Sequence, residues 1–272
     1  MITTAKKIGR LVNNLRWFTN PTTLMRSHRD AMAALKNKHK NTPALIIGNG
    51  PSLNAQDLTQ ISNFVSFATN SFFLKSQLTG VPPTYLTVED PLPAEDNADS
   101  LIHFDQSLKI APFDLRYVFG DEAGYTYVNF VRGYRPFVGP FFPLFSHHGE
   151  QAIFWGGTVV YMNLQLAAHM GCNPIYFTGM DLTYDIPESA MVDKGVITST
   201  EDDPNHFDPV YFGAGKRWHL PHTDVMQHCL NYAYRKLTAS GFRLYNLTEG
   251  GNLQGIPRRS FQKVVADLSP KE

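Results

Sequence analysis

The feature that most constrains the fold is an alternation of short apolar runs with helical stretches that starts at residue 44. Three short apolar runs each end in polar residues: residues 44–47, 64–68 and 84–88. Helical patterns near residues 55–61 and 71–78 separate these runs. Runs this short are typical of strands, and their alternation with helices is typical of a parallel sheet covered on both faces. The sequence therefore predicts a Rossmann-like α/β fold with a mostly parallel sheet.

The second half of the chain continues this alternation after a middle segment, residues 91–150, whose periodicity is weak. Two helices and two strands are predicted there, in the order helix, strand, helix, strand, over residues 158–170, 174–178, 223–239 and 242–245. We therefore expect a single α/β domain over residues 41–272. Residues 91–150 and 184–222 are expected to serve as lid or acceptor segments, the second of them rich in histidine.

Composition indicates the size of the core, the cellular compartment and the state of the cysteines. The 272 residues are 43% hydrophobic, enough for a full core, and carry no net charge. The chain lacks an apolar run of about 18 residues, and no secretory signal pattern follows Met1, so we expect a cytoplasmic protein. Cys172 and Cys229 lack metal-type spacing, which favours reduced, packed thiols over a disulfide framework or a zinc site.

The first 40 residues form a separate, strongly basic pattern. They hold nine Lys and Arg residues against Asp30, a net charge of +8 that the remaining chain balances. Apolar residues recur there at helical spacing, with basic residues between them: Ile8, Leu11, Val12, Leu15 and Phe18, with Lys7, Arg10 and Arg16. We predict a basic amphipathic helical arm over residues 1–40, packed on the domain or on a second subunit, or in peripheral contact with an anionic membrane. No nucleic acid partner is expected.

A glycine-containing turn follows the first predicted strand. It consists of Gly48, Asn49, Gly50, Pro51 and Ser52. Small residues at this place let backbone N–H groups approach an anion at the start of the next helix, so we interpret the turn as a nucleotide site rather than a plain turn. The turn lacks both the GxGxxG spacing and the Lys and Ser/Thr of a Walker loop, which disfavours nicotinamide enzymes and P-loop kinases.

Further polar residues follow the other predicted strands. Asn70 and the pair Glu89 and Asp90 come after the second and third strands, and ligands of open α/β sheets bind at these ends, so we expect one shared crevice. Gly157 and Thr158 open a predicted helix that leads to the strand before Asp181. Asp181 is a candidate to orient a ribose hydroxyl, to hold Mg²⁺ or only to cap its loop.

A loop late in the chain gathers histidines, cations and aromatic residues. It contains His206, His219 and His222 together with Lys216 and Arg217. Histidine suits the role of general base toward an acceptor hydroxyl, and the two cations suit a phosphate group. A zinc site is disfavoured because no HExxH or CxxC accompanies the histidines. For each histidine the alternative is an ordinary hydrogen-bonded loop residue.

At these clusters the sequence resembles the MptE-like family, whose founding activity is 6-hydroxymethylpterin diphosphokinase, and more distantly the bacterial sialyltransferases of glycosyltransferase family 42. The resemblance covers about residues 43–262 and lies in five ordered motifs: Gly48–Leu53, Gly156–Tyr161 with Met170-Gly171, Gly179–Asp181, Asn205–Phe207 with Tyr211–Gly213, and Tyr245–Gly251. These motifs are specific for the family and not for the reaction. Relatives of this type also look like flagellin and surface-glycan transferases that use CMP-activated nonulosonic sugars.

The resemblance to the sialyltransferases implies roles for individual residues. It implies that Asn49 to Ser52 and Asn70 hold a CMP donor, that His222 is the base, and that Tyr184, displaced by one position, assists the leaving phosphate. That family has an asparagine where this sequence has Asp90. A carboxylate there repels a bare phosphate and favours Mg²⁺, which a diphosphokinase that uses ATP requires.

Three functions are therefore compared. The first is a glycosyltransferase, sialyltransferase-like, that moves a nonulosonic sugar from a CMP-activated donor to a surface-glycan or lipid-linked acceptor, with His222 or His206 as base. The second is a diphosphokinase that transfers from ATP to a pterin-like alcohol, with Asp90 and Asp181 holding Mg²⁺. The third is a non-catalytic nucleotide-binding module, which needs only the turn after the first strand. The first function requires no metal cofactor.

Overall fold

The computed structural model describes residues 4–269, with side chains from residue 8 onward. It has twelve strands over this range: β1 (Ala44–Ile47), β2 (Val65–Thr69), β3 (Tyr85–Thr87), β4 (Leu108–Pro112), β5 (Tyr125–Val128), β6 (Phe130–Val131), β7 (Ile153–Phe154), β8 (Ile175–Thr178), β9 (Met191–Asp193), β10 (Val196–Thr198), β11 (Arg217–His219) and β12 (Leu244–Asn246). Seven of them form one sheet in the order β12-β8-β1-β2-β3-β4-β5, and every pairing in it is parallel. The prediction of a Rossmann-like α/β fold is confirmed.

The described residues form ten α-helices: α1 (Thr4–Thr19), α2 (Thr23–Ala34), α3 (Phe73–Thr79), α4 (Pro91–Asp96), α5 (Ala98–His103), α6 (Arg116–Phe119), α7 (Arg135–Val138), α8 (Val159–His169), α9 (Thr223–Ala239) and α10 (Phe261–Leu268). Single turns of 3₁₀ helix cover Pro51–Ala55, Leu58–Gln60, Asn70–Phe72, Phe113–Leu115 and Gly139–Phe141. Among residues 4–269, no helix is both long enough and apolar enough to cross a membrane.

Both faces of the central sheet are covered by helices. Strand β1 is buried throughout, and its alternate side chains enter two different cores. Ala44 and Ile46 pack with α2, α8 and α9 on one face, whereas Leu45 and Ile47 pack with α3, α5 and α10 on the other. Cys172 and Cys229 are buried free thiols. This double cover explains why the strands are continuous apolar runs.

The middle segment, residues 91–150, differs from the expectation of a lid. It supplies β4 and β5, which extend the central sheet beyond β3, together with the short helices α4 to α7. Sequence periodicity is weak there because the elements are only two to six residues long and are interrupted by proline and glycine. Most of this segment is therefore part of the fold and not a cover over the crevice.

Residues 184–222 build a small layer beside the central sheet. Strands β9, β10 and β11 form an antiparallel sheet, and residues 194–195 make the two-residue turn between β9 and β10. Trp218 of β11 stacks on Phe212, with ring centroids 5.6 Å apart, which joins this sheet to the preceding loop. The layer forms one wall of the cavity described below.

The predicted N-terminal arm is two helices with different environments. Met25 and Met32 of α2 are buried, and Met32 lies in the core that contains α8. Helix α1 contacts the domain only along one side, through residues such as Trp17, which is 1% exposed. Helix α2 is thus integral to the domain, and α1 is the peripheral element.

Candidate functional site

A cavity of about 560 Å³ lies at the carboxyl ends of β1, β2, β3 and β8. It is the place where parallel sheets collect ligands. The structure brings together there most of the residues that the sequence nominates: Gly48, Asn49, Gly50, Asn70, Glu89, Asp90, Gly157, Thr158, Asp181, Tyr184, His206 and His222. Pro51, Ser52, Lys216 and Arg217 do not line it.

The turn after β1 has a different role from the expected cradle of free N–H groups. Its Gly48 N–H donates to the Thr178 carbonyl at 2.8 Å, and its Gly50 N–H donates to the Gly179 carbonyl at 3.0 Å. The helix that follows is a single 3₁₀ turn, so it supplies little dipole. Two of the backbone N–H groups expected to face a phosphate, those of Gly48 and Gly50, therefore already bond the end of β8 and the loop after it.

Close approach to that loop explains the two glycines. A Cβ at Gly48 would stand 2.4 Å from the Gly179 carbonyl oxygen, and one at Gly50 would stand 1.8 Å from Asp181 Oδ2. Ser52 Oγ donates to the same Asp181 oxygen at 2.8 Å. The turn thus packs against residues 179–181 and fixes Asp181, which is how Pro51 and Ser52 act from outside the cavity.

Asn49 and Asn70 are the polar side chains that the turn and β2 present to the cavity. Asn49 Nδ2 lies 2.6 Å from Thr69 Oγ1 and 2.8 Å from the Tyr211 hydroxyl, which orients the amide. Asn70 has a positive φ of 49°, which asparagine tolerates better than most residues. The Oδ1 atoms of both asparagines are buried and find no hydrogen-bond donor among residues 8–269, so the chain itself leaves both acceptors unsatisfied.

Asp90 does not present a free carboxylate. Its Oδ1 accepts from the Leu92 N–H at 2.9 Å and caps α4, and its Oδ2 is 2.8 Å from His219 Nδ1. This hydrogen bond to Asp90 raises the pKa of His219, against the opposing effect of burial. The pair therefore places a hydrogen-bonded carboxylate, rather than a free one, in the cavity wall.

A buried ion-pair network lies behind Asp90. Arg132 donates to the carboxylate and to the backbone carbonyl of Glu89, and its Nε is 3.1 Å from Asp114 Oδ2. Arg10 of α1 reaches the same Asp114 oxygen at 2.6 Å. Burial raises the pKa of Glu89 to about 7, and Arg132 opposes that rise. Arg10, Glu89 and Arg132 all line the cavity.

His206 is held in one orientation. Its Nδ1 is 2.6 Å from Asp203 Oδ2, and the Asp203 side chain is 2% exposed. The imidazole stacks on Tyr211 with ring centroids 4.1 Å apart and planes 5° apart. Asp203 is fixed in turn by the backbone N–H groups of Asn205 and Phe212. A histidine oriented by a buried carboxylate is the arrangement that a general base requires.

His222 also lines the cavity but stands alone. It is the residue before α9, it is exposed, and its ring makes no hydrogen bond with the described part of the chain.

Tyr184, the residue matched to the family's leaving-group tyrosine, tilts against Trp218. Burial, then the charges of Asp181 and Asp203, raises the pKa of Tyr184 to about 12, so its hydroxyl is a hydrogen-bond donor at neutral pH.

Lys216 and Arg217 lie elsewhere, which corrects their expected contact with phosphate. Lys216 Nζ donates to Asn97 Oδ1 at 2.8 Å, and Arg217 pairs with Glu95 and Asp96 of α4. These bonds fasten β11 to α4. The cation that does line the cavity from this layer is Lys194, in the turn between β9 and β10, and it makes no ion pair within residues 4–269.

Five cavity or supporting residues escaped the sequence analysis: Arg10, Arg132, Lys194, Asp203 and Tyr211 as an orienting group. Lys194-Gly195 between two short segments, Met191–Asp193 and Val196–Thr198, that each begin with two apolar residues is a hairpin signal; it identifies the turn, though not where it projects. Asp203 stands three residues before His206, a spacing that suggests their contact. Arg10 and Arg132 come from segments whose place in the fold no local pattern reveals.

The acids of the cavity already have hydrogen-bond partners within the chain. Both oxygens of Asp90 are bonded to Leu92 and His219, and Asp181 Oδ2 accepts from Ser52. His, Cys, Asp and Glu side chains in residues 8–269 also form no group of three that could hold a metal. Asp90 and Asp181 therefore each have at least one carboxylate oxygen engaged by the chain itself.

The order of motifs around this cavity matches a known family. Residues 16–187, more than half of the chain, match the profile of the family described as 6-hydroxymethylpterin diphosphokinase MptE-like. The chain belongs to the MptE-like family. The part of this MptE-like chain that matches includes the turn after β1 and Asp181, whereas His206 and His222 lie beyond it.

A solved structure shares the fold of this MptE-like chain. It is the MAf glycosyltransferase from Magnetospirillum magneticum AMB-1, with a TM-score of 0.51 and 16% sequence identity. The likeness covers 87% of this chain and 38% of the glycosyltransferase, so the chain spans less than half of that protein's length. No curated protein matches the sequence. At this identity the likeness establishes a common α/β fold.

Proposed function

We propose that this protein is a glycosyltransferase of the sialyltransferase-like kind, which transfers a nonulosonic sugar from a CMP-activated donor to a glycan or lipid-linked acceptor. A cavity of about 560 Å³ suits a nucleotide-activated sugar. The unpaired Oδ1 atoms of Asn49 and Asn70 suit the amino and hydroxyl donors of a cytidine. The fold shared with the MAf glycosyltransferase is consistent with this class.

The observation that carries the proposal is the Asp203–His206 pair in the cavity wall. A general base is useful only for a reaction that removes a proton from an acceptor, and a non-catalytic nucleotide module has no need of one. With Nδ1 held by Asp203, the other ring nitrogen of His206 is the one that takes a proton. We therefore place the base at His206, although the family resemblance implies His222.

The reaction is a direct displacement. The acceptor oxygen forms a bond to the anomeric carbon while the bond from that carbon to the phosphate oxygen breaks, and its electron pair leaves with CMP. The acceptor proton passes to His206. Lys194 offsets charge on the departing phosphate, and the neutral Tyr184 hydroxyl donates a hydrogen bond to it. Lys194 takes the role first expected of Lys216 and Arg217.

Donor identity is tested by thermal shift with CMP, CDP, UDP, ATP and a pterin, each with and without Mg²⁺. A ligand that binds only the folded state at 100 times its Kd adds about 2.7 kcal/mol, which raises the Tm by roughly 5–10 °C. We expect CMP to stabilise without metal. Stabilisation by ATP with Mg²⁺ alone would assign the protein to diphosphoryl transfer instead.

The base is tested with three variants assayed on the same donor and acceptor. His206→Ala should lower kcat about 10²–10⁴-fold with little change in donor binding, because it removes only proton transfer. Asp203→Asn should lower kcat and move the pH profile, since it changes the tautomer of His206. His222→Ala should keep most of the activity. A large loss in His222→Ala with none in His206→Ala would move the base to His222.

A further inference from the structure

Helix α1 turns its apolar side away from the domain. The five residues of this apolar side are between 45% and 58% exposed: Ile8, Leu11, Val12, Leu15 and Phe18. At 100° per residue they occupy one continuous side of the helix. An apolar stripe on a domain helix normally faces the core, so this orientation requires a separate explanation.

The opposite side of α1 is what attaches it to the protein. Trp17 is buried, its Nε1 donates to the Glu150 carbonyl at 3.1 Å, and its ring meets Phe113 edge-on at 5.8 Å. Asn14 Nδ2 donates to Asn129 Oδ1 at 2.8 Å. Arg10 pairs with Asp114. Specific contacts therefore hold the helix with its apolar side outward, and within residues 8–269 nothing covers that side.

Charge decides what covers the apolar side. Helical geometry places Arg16 at one border of this side, where a basic side chain flanks an apolar stripe that enters a lipid headgroup layer. Further exposed basic residues follow in the next segment: Arg26, Lys36, Lys38 and Lys40. A second copy would bring another arm of net charge +8 against this one, whereas anionic lipid complements it.

We propose that the outward side of α1 binds an anionic membrane surface. A helix of 16 residues in this arrangement lies in the interface plane, with its apolar side among the headgroups and upper acyl chains. The anionic lipid is the occupant to which Arg16 and the exposed basic residues of the next segment point. Neither the helix length nor its polarity allows it to cross the bilayer.

The same helix reaches the cavity from its inner side. Arg10 lines the cavity and shares Asp114 with Arg132, so α1 forms part of the cavity rim. A membrane-bound α1 therefore sets this rim beside the bilayer. Taken with the proposed glycosyl transfer, on which this step rests, the geometry favours an acceptor that is presented from the membrane, such as a lipid-linked glycan.

The test is sedimentation of the full-length protein with vesicles of neutral phosphatidylcholine or of phosphatidylcholine with about a third phosphatidylglycerol. Wild type should bind the anionic vesicles, more weakly as salt rises. The double variant Leu11→Glu with Leu15→Glu should bind about 100-fold more weakly. Arg16→Glu should bind roughly tenfold more weakly. Leu78→Glu, at a leucine of α3 that is still more exposed, is the control and should bind like wild type.

Folding and self-association are checked on the same samples. The circular dichroism and Tm of the double variant should match wild type, because both leucines are exposed. Failure of wild type to bind anionic vesicles at low salt would overturn the proposal, as would unchanged binding by the double variant. A wild-type dimer in solution that the double variant abolishes would assign the surface to a second copy. No substrate enters this assay, so its result is independent of the proposed transfer reaction.

Discussion

At the residue scale, the meaning of Asp90 depends on its neighbour. An isolated carboxylate at the cavity would repel a donor phosphate, but this one caps α4 and bonds His219. When His219 is protonated, the pair carries no net charge and repels an anionic donor less than an isolated carboxylate does. The charge at Asp90, which at first favours a metal-bound triphosphate, therefore has a partner within the chain that opposes it.

The Asp90–His219 pair predicts a pH effect with a definite sign. The folded-state pKa of His219 is raised by Asp90, so the stabilisation it gives is complete below the unfolded pKa of about 6.5 and is lost as pH rises through the folded pKa. Asp90→Asn should lower the His219 pKa and flatten this dependence. NMR titration of the His219 ring measures the first effect, and urea unfolding at pH 5.5 and 8.5 measures the second.

The outcome that contradicts this prediction is an unchanged His219 titration in Asp90→Asn. His103→Ala is a suitable control, because this exposed histidine pairs only with its own helix neighbour Asp99. Its loss should leave the His219 titration as in wild type. The size of the stability effect should be small, since both partners of the His219 pair are partly exposed.

Single residues were only partly predictable from the sequence. Asn49, Asn70 and Asp181 follow strands, and that position alone places them at the edge where ligands bind. The contact of Asp90 with His219 joins residues 129 positions apart, and that of Arg132 with Glu89 joins residues 43 positions apart. Pairings at that distance depend on tertiary packing, which a local pattern does not contain. The same reason applies to the cations of residues 184–222. Their residue types do not show that Lys194 lines the cavity while Lys216 and Arg217 do not.

At the element scale, the turn after β1 and the loop after β8 form one unit. Strands β1 and β8 are neighbours, and their ends continue as two backbones in direct contact, with Gly48 and Gly50 against residues 179–181. Within this contact, Ser52 Oγ donates a hydrogen bond to Asp181 Oδ2 and so holds the Asp181 carboxylate in place. The glycines are required because a backbone approaches them, and not because they surround a phosphate.

This contact predicts a strong effect of Gly48→Ala. Its new Cβ would stand 2.4 Å from a backbone carbonyl oxygen that has no freedom to rotate away, so the β1 and β8 ends must separate. The expected loss is about 1–3 kcal/mol of unfolding free energy, with weaker donor binding. Chemical denaturation and ligand thermal shift measure the two effects.

Gly9→Ala is the control for this substitution. A Cβ there meets no atom within 4 Å, and Gly9 lies in α1, where alanine is the better helix former. It should leave the unfolding free energy unchanged or slightly higher. Equal stability of Gly48→Ala and wild type would contradict the account of this turn.

Element prediction succeeded for helix α9 and for four strands that are continuous apolar runs. Helix α9 spans residues 223–239 as its pattern predicts, and β1, β2, β3 and β8 lie within one residue of their apolar runs or inside them. The segment 91–150 was not predicted as sheet, because β4 and β5 lie among helices of four to six residues, which are too short to show helical periodicity. Hydrophobic periodicity requires two turns or more to be visible.

At the scale of the whole molecule, the two N-terminal helices belong to different parts of the protein. The basic pattern of residues 1–40 suggests one arm, since charge is spread over both helices. Packing separates them, because Met32 of α2 is fully buried against the main core whereas α1 rests on the surface through Trp17. Net charge therefore identifies the basic region but not the boundary of the folded domain.

This division predicts opposite results for two truncations of buried side chains. Met32→Ala should cost about 2–5 kcal/mol of global unfolding free energy, because it leaves a cavity in the main core. Trp17→Ala should change global stability by less than about 1 kcal/mol, because α1 undocks instead of unfolding the domain. It should also make Arg10 and Arg16 rapid trypsin sites while residues 23–269 stay resistant. Guanidinium unfolding measures the global stability, and limited proteolysis measures the trypsin sensitivity. An equal loss of global stability in the two variants would show that α1 is part of the cooperative core.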